Sequence, residues 1–265
     1  MSNKTQDSFS SRHAAQMNSV YDDVFRDFSD VVSRNDFYGF VGEMTVGQFS
    51  STLGLSRNSR VLDLCCGIGG PARYLARRYG CTVTGVDLSA ANLLTAKKRT
   101  REAGLSDRVA FIEGDVLTAN IEDGAYSHVF GCDAWFYFAD KVPLYKLAHR
   151  ALVPGGIIAF LDQSAEAPIR FTYENYIGGV HFESRASYET QLRAAEFESV
   201  EIQDLTDVAR RDAAQVVMKA IGERQRLIAL SPEIYTIYLE VQAEGLASLC
   251  CGRTSYCGCV ARKVQ

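Results

Sequence analysis

"VLDLCCGIGG", residues 61–70, decides the fold. Three apolar residues and an acid in a buried-strand pattern run into two cysteines and a glycine-rich turn. "PARYLARRYG" follows with helical periodicity, with Pro71 suited to the first turn and Gly80 to the C-cap. A glycine-rich turn between a first strand and its helix lets backbone come close to a ligand. In open α/β sheets that turn lies at the crevice where ligands bind.

Working outward, the alternation continues. "TVTGVDL" is a second strand, and "SAANLLTAKKRTREAG" a second helix with Ser89 as N-cap. "VAFIEGD", "YSHVFGCDAW" and "GGIIAFLD" are further strands, the last two separated by a helix near "VPLYKLAHRAL". Such alternation predicts a Rossmann-like, mostly parallel sheet with helices on both faces. Ahead of it, residues 1–16 read as disordered. Residues 17–56 read as an N-terminal helical lid, with Val20, Val24 and Phe28 at helical spacing. The main domain is expected over 57–265, with an aromatic insertion at 164–187 and a helical insertion at 211–248.

Composition narrows the function. The 265 residues are 47% hydrophobic and carry a net charge of −4, which suits one α/β domain with an appendage. No basic run offers a footprint for nucleic acid. The polar start lacks the apolar core of a signal peptide, and the longest apolar runs are too short to span a bilayer. A cytoplasmic protein with eight reduced cysteines is expected.

Two nucleotides compete for the turn. "GIGGPA", residues 67–72, satisfies the dinucleotide pattern G-x-G-x-x-G/A, and Asp87 lies 20 positions beyond Gly67, as a ribose ligand would. That would suit an NAD-dependent oxidoreductase. S-adenosylmethionine (SAM) also needs an acid for its ribose, but it has a cationic end and no pyrophosphate. Asp63 suits the cation, and Asp115 at the end of the third strand suits the adenine amine.

"VLDLCCGIGG", "TGVDLS", "VAFIEGDV" and "LVPGG" together resemble, in order, the motifs of class I SAM-dependent methyltransferases. The resemblance covers about residues 17–206. It implies a seven-stranded sheet with its last strand antiparallel. It also implies a SAM loop of Asp63, Cys65, Gly67 and Gly69. Asp87 would hold the ribose and Leu88 would lie against the adenine. Asp115 would meet the adenine amine, Val116 would line its pocket, and Cys132 and Asp133 would lie beside the methionine moiety. The family usually has glycine where this chain has Cys65, so that position is expected to avoid a strongly left-handed backbone.

Within the family, "FGCDAWFYFAD" lacks the Asn/Asp-Pro-Pro-aromatic segment of nucleic-acid amine methyltransferases. It looks more like the "DA-x-x-H" region of the glycine/sarcosine, tocopherol and sterol methyltransferase group. Tyr137 then falls where that group places histidine. A phenol with a pKa of about 10 is a poor base at neutral pH but can orient a substrate. Aromatics gather for the same pocket: Phe37, Tyr38, Trp135, Tyr137, Tyr173 and Tyr176. Their π faces would each be worth ~0.5–2 kcal/mol beside a sulfonium or ammonium. His181 is the histidine best placed as a base, whereas His128 and His149 read as structural.

The expected reaction moves the methyl group of SAM to an N or C atom, ahead of O, of a small apolar, aromatic or cationic metabolite, releasing S-adenosylhomocysteine. The competing readings are a SAM enzyme that releases methylthioadenosine instead, the NAD-dependent oxidoreductase, and a SAM-binding regulatory module. No metal and no membrane partner is expected. Cys257 and Cys259 alternate on one strand face as packing residues do, and Cys250 and Cys251 lack zinc-site spacing. Residues 211–248 are read as a lid or a homodimer element.

Overall fold

The computed structural model describes residues 36–37, 41–172, 174 and 179–264. The expected disordered start, the lid helices before residue 36, and Tyr38, Tyr173 and Tyr176 lie outside the described residues. Seven strands form one sheet: β1 (Arg60–Leu64), β2 (Thr82–Asp87), β3 (Val109–Glu113), β4 (Tyr126–Cys132), β5 (Leu152–Ser164), β6 (Phe197–Asp204) and β7 (Ser255–Lys263). Their spatial order is β3-β2-β1-β4-β5-β7-β6. The first five strands pair in parallel, while β7 runs antiparallel between β5 and β6. The seven-stranded sheet with an antiparallel last strand is as expected.

The described helices are α1 (Glu43–Ser50), α2 (Gly70–Tyr79), α3 (Ala90–Glu102), α4 (Val142–Ala151), α5 (Arg185–Ala194), α6 (Thr206–Gly222), α7 (Arg224–Leu230) and α8 (Pro232–Cys250). Pro71 sits in the first turn of α2, and Gly80 closes the helix at φ +70°. Ser89 caps α3 by accepting from the Asn92 N–H. The helical excursion between β6 and β7 spans 206–250, longer than the expected 211–248. It starts early because the Asp204 carboxylate accepts from the Thr206 N–H and turns the chain at the strand end.

Alternation along the strands divides the core. Leu62, Val129, Ile158, Phe160, Cys257 and Cys259 face α4 and α5 on one side. Val61, Val83, Phe130, Ala159 and Tyr256 face α1, α2 and α6 on the other. The thiols of Cys257 and Cys259 lie 3.9 Å apart inside the first of these clusters.

One long-range contact joins chain regions that are distant in sequence. The Asp212 carboxylate, on α6, accepts from the Gly42 N–H, the Thr45 N–H and the Thr45 hydroxyl at 2.6–2.9 Å. The first turn of α1 is therefore capped by a residue from the late helical excursion.

Candidate active site

Strand order reverses between β1 and β4, and a cavity of about 530 Å³ opens there at the carboxyl ends of β1, β2, β3 and β4. Asp63, Cys65, Gly67, Asp87, Leu88, Asp115, Val116, Cys132, Asp133, Tyr137, His181 and Phe37 all line it. Twelve positions taken from six chain segments thus converge on one space.

The loop after β1 sets its floor. Gly69 stands at φ +74°, where a β-carbon would press to 2.8 Å from the Phe111 ring. It shapes the turn from beneath and does not line the cavity. Cys65 corrects an expectation: its backbone is left-handed, at φ +61°. The steric rule sets a cost of order 1 kcal/mol, not a prohibition, and the ordered turn outweighs it. Asp133, at φ +56°, is a second left-handed residue on the same cavity.

Asp63 is 1% exposed, and its Oδ2 has no hydrogen-bond partner among the described residues. Burial, then the nearby Asp87 charge, pushes its pKa up to about 8. Asp87 accepts from the Gly67 N–H at 2.7 Å and the Ser89 N–H at 3.0 Å, so it ties the loop to the start of α3. Burial raises its pKa against these bonds. Asp115 accepts from the Leu117 N–H in a tight turn, holding Val116 and Leu117 on the cavity wall.

On the opposite side, a 3₁₀ turn at Trp135–Tyr137 follows β4. Phe136 and Tyr137 pack ring to ring at 4.5 Å. His181 reaches the site on an extended segment whose N–H donates to the Phe136 carbonyl at 2.7 Å. The Tyr256 hydroxyl donates to the Asp133 carboxylate at 3.3 Å from β7 below.

Trp135 is a correction. It is 1% exposed and stacks on Phe160 at 4.6 Å in the core, with its indole N–H aimed at the Leu64 carbonyl. Successive residues of a 3₁₀ turn point about a third of a turn apart. Tyr137 faces the cavity while Trp135 points beneath the sheet end. His128 and His149 are structural as expected: His128 bonds Leu53 and Ser127, and His149 packs edge-on against Phe197.

Sequence reasoning missed Asp36, Asn92 and Asp140, which line the cavity, and the two arginines that hold Asp36. Arg73, buried in α2, and Arg99 of α3 both donate to its carboxylate, at 2.9 and 3.0 Å. The backbone of Asp36 crosses Gly70 where any β-carbon would collide with it. A buried arginine in an otherwise amphipathic helix was the one available signal.

Residues 61–156 match the family described as "Methyltransferase domain". Over that stretch the chain is similar to SAM-dependent methyltransferases. It is 34% identical over 121 residues to methyltransferase GfsG of Streptomyces halstedii, covering 46% of this chain and 44% of that one. It is 30% identical over 172 residues to the glycine/sarcosine/dimethylglycine N-methyltransferase of Actinopolyspora halophila, covering 62% of this chain and 30% of that one. The matches thus span less than half the length of these curated relatives. Phosphoethanolamine N-methyltransferase 2 of Haemonchus contortus shares the fold, with a TM-score of 0.82 at 20% identity, over 94% of this chain and 60% of that one. The shared fold therefore extends well beyond residues 61–156. No helix among the described residues is long and apolar enough to cross a membrane.

Proposed function

We propose that the protein transfers the methyl group of SAM to a nitrogen or carbon atom, ahead of oxygen, of a small neutral or cationic metabolite. The observation that carries this reading is the carboxylate oxygen of Asp63, buried and without a hydrogen-bond partner among the described residues, in a cavity that continues to Tyr137 and His181. A buried acid without a counter-charge calls for a cation. The ammonium of the SAM methionine moiety is one, and Asp63 would hold it.

The remaining donor set fits the same molecule. Asp87 keeps lone pairs for the ribose hydroxyls beside its two backbone bonds. Asp115 would take the adenine amine between Leu88 and Val116, with Cys132 and Asp133 beside the methionine. When bound, SAM supplies a methyl carbon already activated by its sulfonium. The chain's own residues then orient the acceptor and exclude water, which can supply most of the acceleration. Phe37 would line the acceptor half. Tyr137 would orient the acceptor. His181 would take a proton from a carbon or hydroxyl acceptor, and an amine needs only a free lone pair.

Charge selects the acceptor class. Six aspartates and no lysine or arginine stand among the described lining residues. The Haemonchus neighbour was solved with phosphomonomethylethanolamine. A phosphate would meet six carboxylates and no lysine or arginine among the described lining residues, so an amine or an apolar carbon acceptor suits it better. We place the protein in the cytoplasm, acting on a soluble metabolite.

Calorimetry with S-adenosylhomocysteine, and NAD as control, tests the cofactor. Binding of the first and not the second is expected, and binding of NAD alone would overturn the reading. Incubation with SAM and an amine panel should then release S-adenosylhomocysteine. Release of methylthioadenosine would mean that SAM is used for a reaction other than methylation.

A further inference from the structure

Lys141 precedes α4 and is 0% exposed. A buried ammonium is costly unless its donors are used. Its Nζ donates to the Phe138 carbonyl at 2.9 Å and to the His181 carbonyl at 2.6 Å. Glu183 Oε1 stands at 3.9 Å. Asp162 and Asp140 also contribute favourable charge, while burial works against it.

The two carbonyls belong to different walls of one cavity. Phe138 follows Tyr137 after β4, whereas His181 lies 40 residues beyond Lys141. The His181 peptide is thus gripped on both sides, by the Phe136 carbonyl at its N–H and by Lys141 at its C=O. The cofactor half, on β1 and β2, shares none of these bonds.

We propose that Lys141 is a positioning residue for the acceptor half of the site. Its ammonium fixes the segment carrying Tyr137 against the segment carrying His181, and so sets where both side chains meet the acceptor. This rests on reading the cavity as a joint cofactor and acceptor site. Plain structural support would spread its effect over the whole domain. Positioning confines the effect to residues 179–183 and 136–139.

The test is amide hydrogen exchange on the full chain, for wild type, K141M, K141Q and K141R, with S-adenosylhomocysteine calorimetry alongside. In K141M, amides of 179–183 are expected to exchange about tenfold faster or more, while those of β1 and β2 hold their protection. Affinity for S-adenosylhomocysteine is expected to stay within about threefold of wild type, since none of these bonds reaches Asp63 or Asp87. K141Q and K141R keep donors for both carbonyls, so each is expected to restore most of the protection. Unchanged exchange at 179–183 in a folded K141M overturns the proposal. So does loss spread evenly over the domain. Should K141M not fold, K141Q and K141R decide: retained protection at 179–183 supports the proposal and lost protection overturns it. The exchange comparison needs no ligand. A wild-type chain that binds no S-adenosylhomocysteine would defeat the cofactor reading and leave the Lys141 result standing by itself.

Discussion

The Asp36 carbonyl lies against Gly70 with no room for a β-carbon between them. Gly70 is the first residue of α2, and Asp36 is bonded by Arg73 of the same helix and Arg99 of the next. These bonds thus fasten Asp36 and Phe37 into the cavity lining. G70A gains ~1 kcal/mol of helix propensity but must push this segment away. Its expected result is a fall in S-adenosylhomocysteine affinity of about tenfold, read by calorimetry, with little net change in stability. Unchanged affinity would mean that the segment does not bear on the site.

Asp63 predicts a proton signal. Its folded pKa of about 8 stands above the ordinary 3.8. The folded chain therefore holds this proton more tightly than the unfolded chain. The stability it contributes is full below pH ~4 and is lost as pH rises through ~8. Asp162, raised to about 7 by burial, acts in the same direction. D63N should flatten only part of the slope. A bound ammonium favours the ionised form, so S-adenosylhomocysteine should expel a proton below pH ~8 and bind more tightly as pH rises towards it. Calorimetry in two buffers of different ionisation enthalpy reads that proton. In D63N the release should vanish and affinity should drop on the order of tenfold.

Cys65 invites the reverse change. At φ +61° it carries a left-handed cost that glycine does not. C65G should stabilise the chain by ~0.5–1 kcal/mol in a denaturant titration and keep S-adenosylhomocysteine binding. A loss above ~1 kcal/mol would show that the thiol's packing outweighs the strain.

Trp135 separates core from pocket. W135F removes the indole bond to Leu64 and part of the stack on Phe160. The expected cost is ~1–3 kcal/mol of stability, with S-adenosylhomocysteine affinity kept. Loss of affinity at unchanged stability would return this residue to the pocket.

Much of this architecture was readable from local chemistry. Gly80 and Ser89 marked helix ends because capping acts within a few residues. The acids at the carboxyl ends of β1, β2 and β3 fell on the cavity because strand ends in a parallel sheet share one edge. Asp36 and Lys141 were not readable. Their partners lie 37 and 40 residues away, and a charged residue in a polar stretch looks solvated until the fold buries it. Trp135 misled because it opens an aromatic run whose members the 3₁₀ turn sends to different sides.

The bonds from Asp212 to Gly42 and Thr45 carry a consequence for how such chains diversify. Helix α1 has its cap written some 170 positions later, inside the excursion between β6 and β7. A chimera that took that excursion from a chain with no acid at the Asp212 position would leave three donors at the head of α1 without their acceptor. The two ends of the chain form one unit of inheritance, and recombination that keeps function has to carry them together.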